Sequence, residues 1–549
     1  MANLIPLLSS SFELTVGEIS RYRIQFDSTE HSPSTAWPPS NLIVKITNET
    51  PILYRGAVLS GPYNISASCI ETEHAKRLKF HPDNLFTPNL KPAIKCGETW
   101  QLKLIVPSNG IGDWTIDILC EILFSSNKVK YNISVFACIP EKASIIDEFQ
   151  IFDGKAIVSQ DGTTSVYSSS IKYEFLKPHD ILKMPDLTTF STRDIHLVVL
   201  THGIHGSMLD ELYLKEALEE KYIDRKTDRI GFFMSDVNHS CTEDGIEMCG
   251  KRLAMELLKY VEWPWSLNNN DRDNISNAND SRNKPLISKI SLIGHSMGGL
   301  INAFMAGYLY SVTNGAFFND VQPIHFITIA TPWLGSTDLS WYIKVGLKFG
   351  VIGQTGKDLA LISRSTEEQE NAKGAVNEDT GEEQPLLLAL ARLMSPSHIA
   401  ISKFRNRTLY ANIANDLIVS FRTSSLYFHK YDDELSFKCT INDHLRHAFT
   451  SLNPLEITTD YLSRSVKGSS PIVYDMVVKP EDVPPPKEEE EMDMSIEEQI
   501  AREWHKDLSW RKVFVRLEGE AHTHVIVRRK WLNAAGWQVI EHLVNEHDF

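Results

Sequence analysis

Gly294-His-Ser-Met-Gly298 is the segment of this chain whose residue types and spacing best suit chemistry. In a G-x-S-x-G pattern the serine becomes a nucleophile when a strand ends at the first glycine and a helix starts just beyond it, because the sharp turn exposes the hydroxyl. Lys289-Ile-Ser-Leu-Ile-Gly294 reads as that strand, and a helix is expected from about Gly299 to Val312. That context favours a nucleophile at Ser296 over a chance pentapeptide in a loop. The helix N-terminus also sets partial positive charge behind a developing oxyanion. Upstream, Leu200-Thr-His-Gly-Ile-His-Gly206 carries an H-G-x-x-G turn after an apolar run. A turn of this kind lends one backbone N–H to an oxyanion hole, and the residue after the nucleophile lends the other. The expected donors are Ile204 and Met297. The competing reading of His202 and Gly203 is an ordinary strand-exit turn.

A serine nucleophile needs a base, and the base needs a carboxylate to orient it. With a strand–serine–helix elbow the chain order is Ser, then Asp or Glu, then His. The apolar run Thr408-Leu-Tyr-Ala-Asn-Ile413 leads into Ala414-Asn-Asp416, so Asp416 lies just past a strand end and is the expected acid. Its plainer role would be a turn or helix cap, and Asp443 is the second candidate. Trp510 to Glu518 reads as the last strand, followed by Gly519-Glu-Ala-His-Thr-His524. His522 and His524 both follow that strand. His522 is nearer its end and is the expected base, while His524 heads the apolar run Val525-Ile-Val527. His542, on a terminal helix, reads as structural or exposed.

The elements that must hold these residues alternate from about residue 194 onward. Ile195-His-Leu-Val-Val-Leu-Thr201 is a continuous apolar run, as expected of a parallel strand covered on both faces. A helix is expected at Leu209–Tyr222, a strand at Ile230–Met234, a helix at about Ile246–Val261 and a strand at Ile324–Ala330. This is the signature of an α/β-hydrolase fold, a mostly parallel sheet with helices on both faces, over residues 194–549. The first 140 residues differ. Tyr22, Ile24 and Phe26 alternate with polar residues, as do Leu42, Val44 and Ile46, and Trp114 to Phe124, which predicts an N-terminal β-sandwich domain. Residues 141–193 read as a connector. Asn/Asp-rich 268–283 and acidic 366–384 read as surface insertions, and 480–494, a proline run joined to a glutamate run, as a linker. Between Gly335 and Ser397 two apolar stretches, Leu339 to Ile352 and Leu386 to Met394, could form an amphipathic lid or pack as buried helices over the sheet.

With 549 residues there is too much chain for one core. A formal net charge of −16 argues against a nucleic-acid partner. Arg511, Lys512, Arg516, Arg528, Arg529 and Lys530 make a local basic cluster, read as a solvated face in preference to a lipid contact. The opening residues lack the pattern of a secretory signal, and no run approaches the ~20 apolar residues of a spanning helix. The scattered cysteines lack metal-site spacing. The expectation is a cytoplasmic protein, soluble or peripherally attached to a membrane, with no cofactor and no metal.

His-Gly-Ile-His-Gly, Gly-His-Ser-Met-Gly-Gly and Glu520-Ala-His522 with Val525-Ile-Val-Arg-Arg529 together resemble the fungal serine-esterase family of Rog1-like lipases. The resemblance covers roughly residues 195–549, with a β-rich N-terminal domain of similar placement. It supports His522 over His524 through the Ala-His pair, and Asp416 through the Asn-Asp pair. It implies hydrolysis of acyl-ester lipids, acylglycerols or phospholipids, at lipid droplets or membranes. A departure lies in Thr331-Pro-Trp333-Leu-Gly335, where relatives carry other residues at the Trp333 position, expected to bear on acyl or headgroup preference. Two other readings stand beside the lipase: a thioesterase removing acyl groups from cysteines with the same machinery, and a catalytically silent lipid-binding scaffold.

Overall fold

Burial alternates residue by residue in the first third of the chain and is nearly continuous in the strands that follow, and the architecture changes with it. A computed structural model describes the chain outside residues 1–2, 16–17, 31–38, 40, 57–62, 73–88, 121–127, 140–156, 159–162, 177, 183, 191–193, 223–228, 264–285, 337–352, 364–383, 428–469, 484, 487–493 and 531. It forms two compact units, the first taking in Met1–Lys183 and the second nearly all the rest. Asp443, the insertion 268–283, nearly all of 366–384 and the apolar stretch Leu339–Ile352 fall outside the described residues.

In the first unit two antiparallel sheets use the period-two pattern. One runs Thr99–Ile105, Asn41–Asn48, Lys128–Ile139, Asn3–Thr15, Thr164–Val166, Ile157–Val158. The other runs Ile171–Leu176, Ile19–Asp27, Ile111–Leu119, Ile65–Glu71, Asn89–Ile94. Tyr22, Ile24 and Phe26 of one sheet and Tyr131, Ile133 and Val135 of the other belong to a single core. The Tyr22 and Tyr131 hydroxyls meet there at 2.5 Å. The expected connector 141–193 needs correction. It supplies three strands: Thr164–Val166 and Ile171–Leu176 pair with strands far back in the chain, and Ile157–Val158 pairs locally with Thr164–Val166. Strands of two to six residues carry too few alternations to stand out in the sequence.

The second unit is built on a seven-stranded sheet, ordered Arg229–Met234, Ile195–Thr201, Lys289–His295, Gln322–Ile329, Asn406–Asn412, Trp510–Val515, Ile472–Val478. All neighbours are parallel except the last pair. Ile195, Leu197 and Val199 share a core with the helices Ile246–Tyr260 and Met297–Val312. His196, on the alternate side of the same strand, faces the ring of Phe549 beyond the helix Trp537–Glu546. Alternation along a strand points successive side chains to opposite faces, so helices cover both. The stretch Leu386–Ala391 is a fully buried helix and not a surface lid. The basic cluster also needs correction. Arg511 is paired with Asp475 at 2.7 Å, Arg528 and Arg529 are buried on Asp210, Lys530 reaches Glu216, and Lys512 is buried, so only Arg516 is exposed. In the sequence these cations look like one patch because strand and coil alternate their directions in space.

Candidate active site

Parallel strands deliver their carboxyl ends to one edge of a sheet, and three of them end at the candidate residues. The strand Lys289–His295 runs directly into Ser296, whose backbone is held at φ 55° and ψ −131°. That conformation is rare for a residue with a side chain and is kept only where the surroundings over-determine it. Here the Ser296 N–H donates to the Ile329 carbonyl at 2.8 Å, and its own carbonyl accepts from Thr331 Oγ1 at 2.9 Å. The flanking glycines make the turn possible. A Cβ on Gly298 would lie 2.1 Å from the Thr201 carbonyl oxygen, and one on Gly294 would lie 2.5 Å from the Gly298 backbone. No other residue type fits either position.

The strand Asn406–Asn412 ends in a turn whose left-handed Asn415, at φ 63°, swings Asp416 back toward the site. Asparagine tolerates that region better than most residues. Asp416 is buried, and its carboxylate is fully engaged. Oδ1 accepts from the backbone N–H groups of Ile418 and Val419 at 3.1 and 2.8 Å, and Oδ2 accepts from Asn412 Nδ2 at 2.9 Å. Burial alone would raise the acid, but the adjoining His522 and these donors outweigh it and hold the carboxyl below its usual range.

His522 stands on the short helix Ala521–His524, after the strand Trp510–Val515. Its Nδ1 lies 3.0 Å from Asp416 Oδ2 and its Nε2 lies 3.0 Å from Ser296 Oγ. An ionised carboxylate only accepts, so Nδ1 carries the proton and the Nε2 lone pair faces the serine hydroxyl. Asn415 ties acid turn to base helix. Its carbonyl accepts from the Ala521 N–H at 3.3 Å, and its side chain donates to the Leu517 carbonyl at 2.7 Å.

The structure also locates the remaining candidates. The turn bearing Ile204 passes against Ser296, since a Cβ on Gly203 would stand 2.7 Å from Ser296 Cβ and 3.1 Å from Oγ. Met297 is the first residue of the helix Met297–Val312. His524 points elsewhere. It is buried, and desolvation, partly offset by a hydrogen bond with the Glu518 backbone, pulls its pKa to about 4. His542 bonds the Tyr410 hydroxyl at 3.0 Å, a structural role. Trp333, at the position expected to bear on acyl or headgroup preference, packs into the core. It is fully buried, stacked edge-on against Trp504 and Trp510, with its indole N–H on Thr328 Oγ1 at 3.2 Å. A large aromatic at this turn extends the core beneath the sheet end.

One residue at the site went unread in the sequence. His295, the variable position before Ser296, donates from Nε2 to the His522 carbonyl at 2.9 Å and so links the elbow to the His522 helix. Burial pushes its pKa to about 3, so it stays neutral and serves as a donor. Its only sequence signal is a polar side chain at a position of the elbow pattern that any residue can fill.

Residues 191–426 match a family model described as "Putative serine esterase (DUF676)". A Saccharomyces cerevisiae protein, "Putative lipase ROG1", is 30% identical across 97% of this chain and 82% of its own length. The chain belongs to this serine-esterase family of Rog1-like lipases. Other members include "Putative lipase YDL109C" of the same yeast, 27% identical across 98% of this chain and 88% of its own. A Schizosaccharomyces pombe relative, "Putative lipase C4A8.10", is 28% identical across 77% of this chain and 48% of its own. The enzyme class follows from that membership: the protein is an ester hydrolase.

Proposed function

We propose that the protein hydrolyses acyl esters of lipids, monoacylglycerols or phospholipids, through Ser296, His522 and Asp416. The observation that carries this reading is the unbroken line from Asp416 Oδ2 through His522 to Ser296 Oγ, with 3.0 Å at each step. In the proposed reaction His522 Nε2 takes the hydroxyl proton as Oγ adds to the ester carbonyl. The negative charge passes to the carbonyl oxygen, where the N–H groups of Ile204 and Met297 receive it. Two such donors are worth several kcal/mol in comparable enzymes (about 2.7–4 kcal/mol for one). The C–O bond then breaks, the alcohol leaves with the proton held by His522, and Ser296 keeps the acyl group. Water attacks the acyl-enzyme by the same route in reverse, releasing the fatty acid and restoring the serine. Asp416 stays ionised throughout, fixing the imidazole tautomer and stabilising the imidazolium.

The rest of the reading concerns setting. We take the two N-terminal sheets as a β-sandwich that serves as a docking module. We place its work at the cytoplasmic surface of membranes or lipid droplets, where such substrates reside. No helix among the described residues is long and apolar enough to cross a membrane. Turnover of monoacylglycerol, triacylglycerol, phospholipid and acyl-thioester substrates, beside Ser296→Ala, tests the proposal. Ester turnover that vanishes in the variant is the expected result. A thioester preference would redirect it toward deacylation of cysteines, and no turnover on any substrate would leave a silent scaffold.

A further inference from the structure

The mechanism above leaves a buried ionic cluster beside the site without a task. Asp210, Arg528 and Arg529 are each no more than 5% exposed. Arg528 Nε donates to Asp210 Oδ2 at 3.0 Å, and Arg529 Nη1 lies 2.8 Å from Oδ1. Burial works against the Asp210 carboxylate, yet the two guanidiniums hold its pKa at about 2, so it stays charged. Glu211 next to it is also buried, and burial together with the charge of Asp210 drives its acid well above the usual range, while neither arginine is hydrogen-bonded to it. Asp210 is thus the carboxylate that answers both cations.

The three residues come from the two segments whose separation matters for acyl transfer. Asp210 closes the turn that carries Ile204, its N–H donating to the Ser207 carbonyl at 3.0 Å. A Cβ on Gly206 would lie 2.7 Å from Asp210 Oδ2 and 2.9 Å from His202 Nδ1, so the carboxylate rests against the turn itself. Arg528 and Arg529 belong to the coil after the His522 helix. The Arg528 N–H returns to the Thr523 carbonyl at 3.0 Å. The Arg529 N–H donates to Asn533 Oδ1, and Asn533 Nδ2 donates to Thr523 Oγ1, each at 2.9 Å. Between helix and arginines the chain passes through Val527 at φ 52°, an outlier for a β-branched residue. Such a conformation persists only where its surroundings enforce it, and here the Val527 N–H donates to the His524 carbonyl at 2.9 Å.

We propose that Asp210 is a positioning residue. Through Arg528 and Arg529 it fixes the Ile204 turn against the His522 helix, so that oxyanion donor and base act on the same carbonyl. A carboxylate that gives each oxygen to a different guanidinium constrains direction as well as distance. Oxyanion donors act over a narrow range, and a shift of about 1 Å costs about 10²-fold in rate. This inference rests on the proposed roles of Ser296, His522 and Ile204.

The test uses the full chain in three variants. Asp210→Asn/Arg528→Gln removes one charge of each sign and keeps the net charge of the cluster. Arg528→Lys keeps the cation and loses the planar fork, and Asp210→Glu keeps the carboxylate. Folding is read by thermal melting, kcat and KM on a short-chain nitrophenyl ester, and oxyanion binding by the affinity of a trifluoromethyl ketone. The double variant is expected to melt cooperatively and lose kcat by about 10²-fold with KM changed by less than about threefold. Ketone affinity should fall in step with kcat/KM, and Arg528→Lys and Asp210→Glu should recover part of the rate. A folded double variant with kcat within about threefold of the parent overturns the proposal. So does failure of all three variants to fold, which would assign the cluster to folding alone. Ser296→Ala run alongside separates the two levels: an active alanine variant sinks the site itself, whereas an inert one beside fully active Asp210 variants sinks only the positioning role.

Discussion

Arginine meets aspartate in both units of this protein, with opposite consequences. In the first unit Arg21 pairs with Asp117 and Arg23 with Asp113 across neighbouring strands, at 2.7 and 2.6 Å. These side chains are between 18% and 34% exposed, on the outward side of strands whose alternate residues fill the core. In the second unit Arg528 and Arg529 meet Asp210 with 3 to 5% exposure. A solvated cross-strand pair adds a few tenths of a kcal/mol to about 1 kcal/mol and can be lost at little cost. A buried group gains little net stability from its pairing, yet removing one partner strands the other in a poor dielectric. The N-terminal sheets carry their charge pairs on the outward side, while in the second unit the proposed role of the buried pairs is to hold two loops at a fixed separation.

The sharpest contrast is expected at the base. His522→Ala should lower kcat by about 10⁴-fold or more, because triad members act as a unit, while His524→Ala should cost about tenfold at most. Thermal melts must accompany both, since His524 is buried and its loss is felt in packing. A dead, folded His524→Ala enzyme beside an active His522→Ala enzyme would reverse the assignment.

The next contrast is in stability. Asp210→Ala should destabilise the second unit by about 3–5 kcal/mol, against less than about 1 kcal/mol in the first unit for Asp113→Ala. Denaturant midpoints of the two variants measure this directly, and equal losses would erase the distinction drawn between the units.

Acid should separate the units more gently. His196, His295, His505 and His547 all lie in the second unit, and burial holds each at about 3 against an ordinary 6.5. Folded, they stay neutral across that window; unfolded, they take up protons. The unfolded chain therefore binds more protons between 6.5 and about 3, and stability must fall as pH falls through that range. Unfolding of the second unit near pH 5 should take up protons, read by calorimetry in buffers of different ionisation enthalpy. A proton-neutral transition there would contradict the burial assigned to these histidines.

What could be read without coordinates follows from how local each signal is. Ser296, Asp416 and His522 were legible because each lies at the end of a strand with a strong apolar run, and a parallel sheet turns that position into a meeting point. The edge strand Ile472–Val478 was not, since most of its residues are half-buried or exposed and its alternation is broken. The short strands Thr164–Val166 and Ile171–Leu176 and the Asp210 cluster share another cause. Their partners lie far away in the chain, and no window of sequence holds both sides. Arg528 and Arg529 looked like surface cations because their charge is local information and their counter-charge, 318 residues away from Arg528, is not.

The central claim is that Ser296 is a nucleophile activated by His522, and a fluorophosphonate probe tests it most directly. Mass spectrometry of the labelled, folded protein should place the adduct on the peptide containing Ser296. Labelling should disappear in Ser296→Ala and slow by orders of magnitude in His522→Ala. An adduct on another serine, or undiminished labelling of the Ser296→Ala protein, would contradict the account.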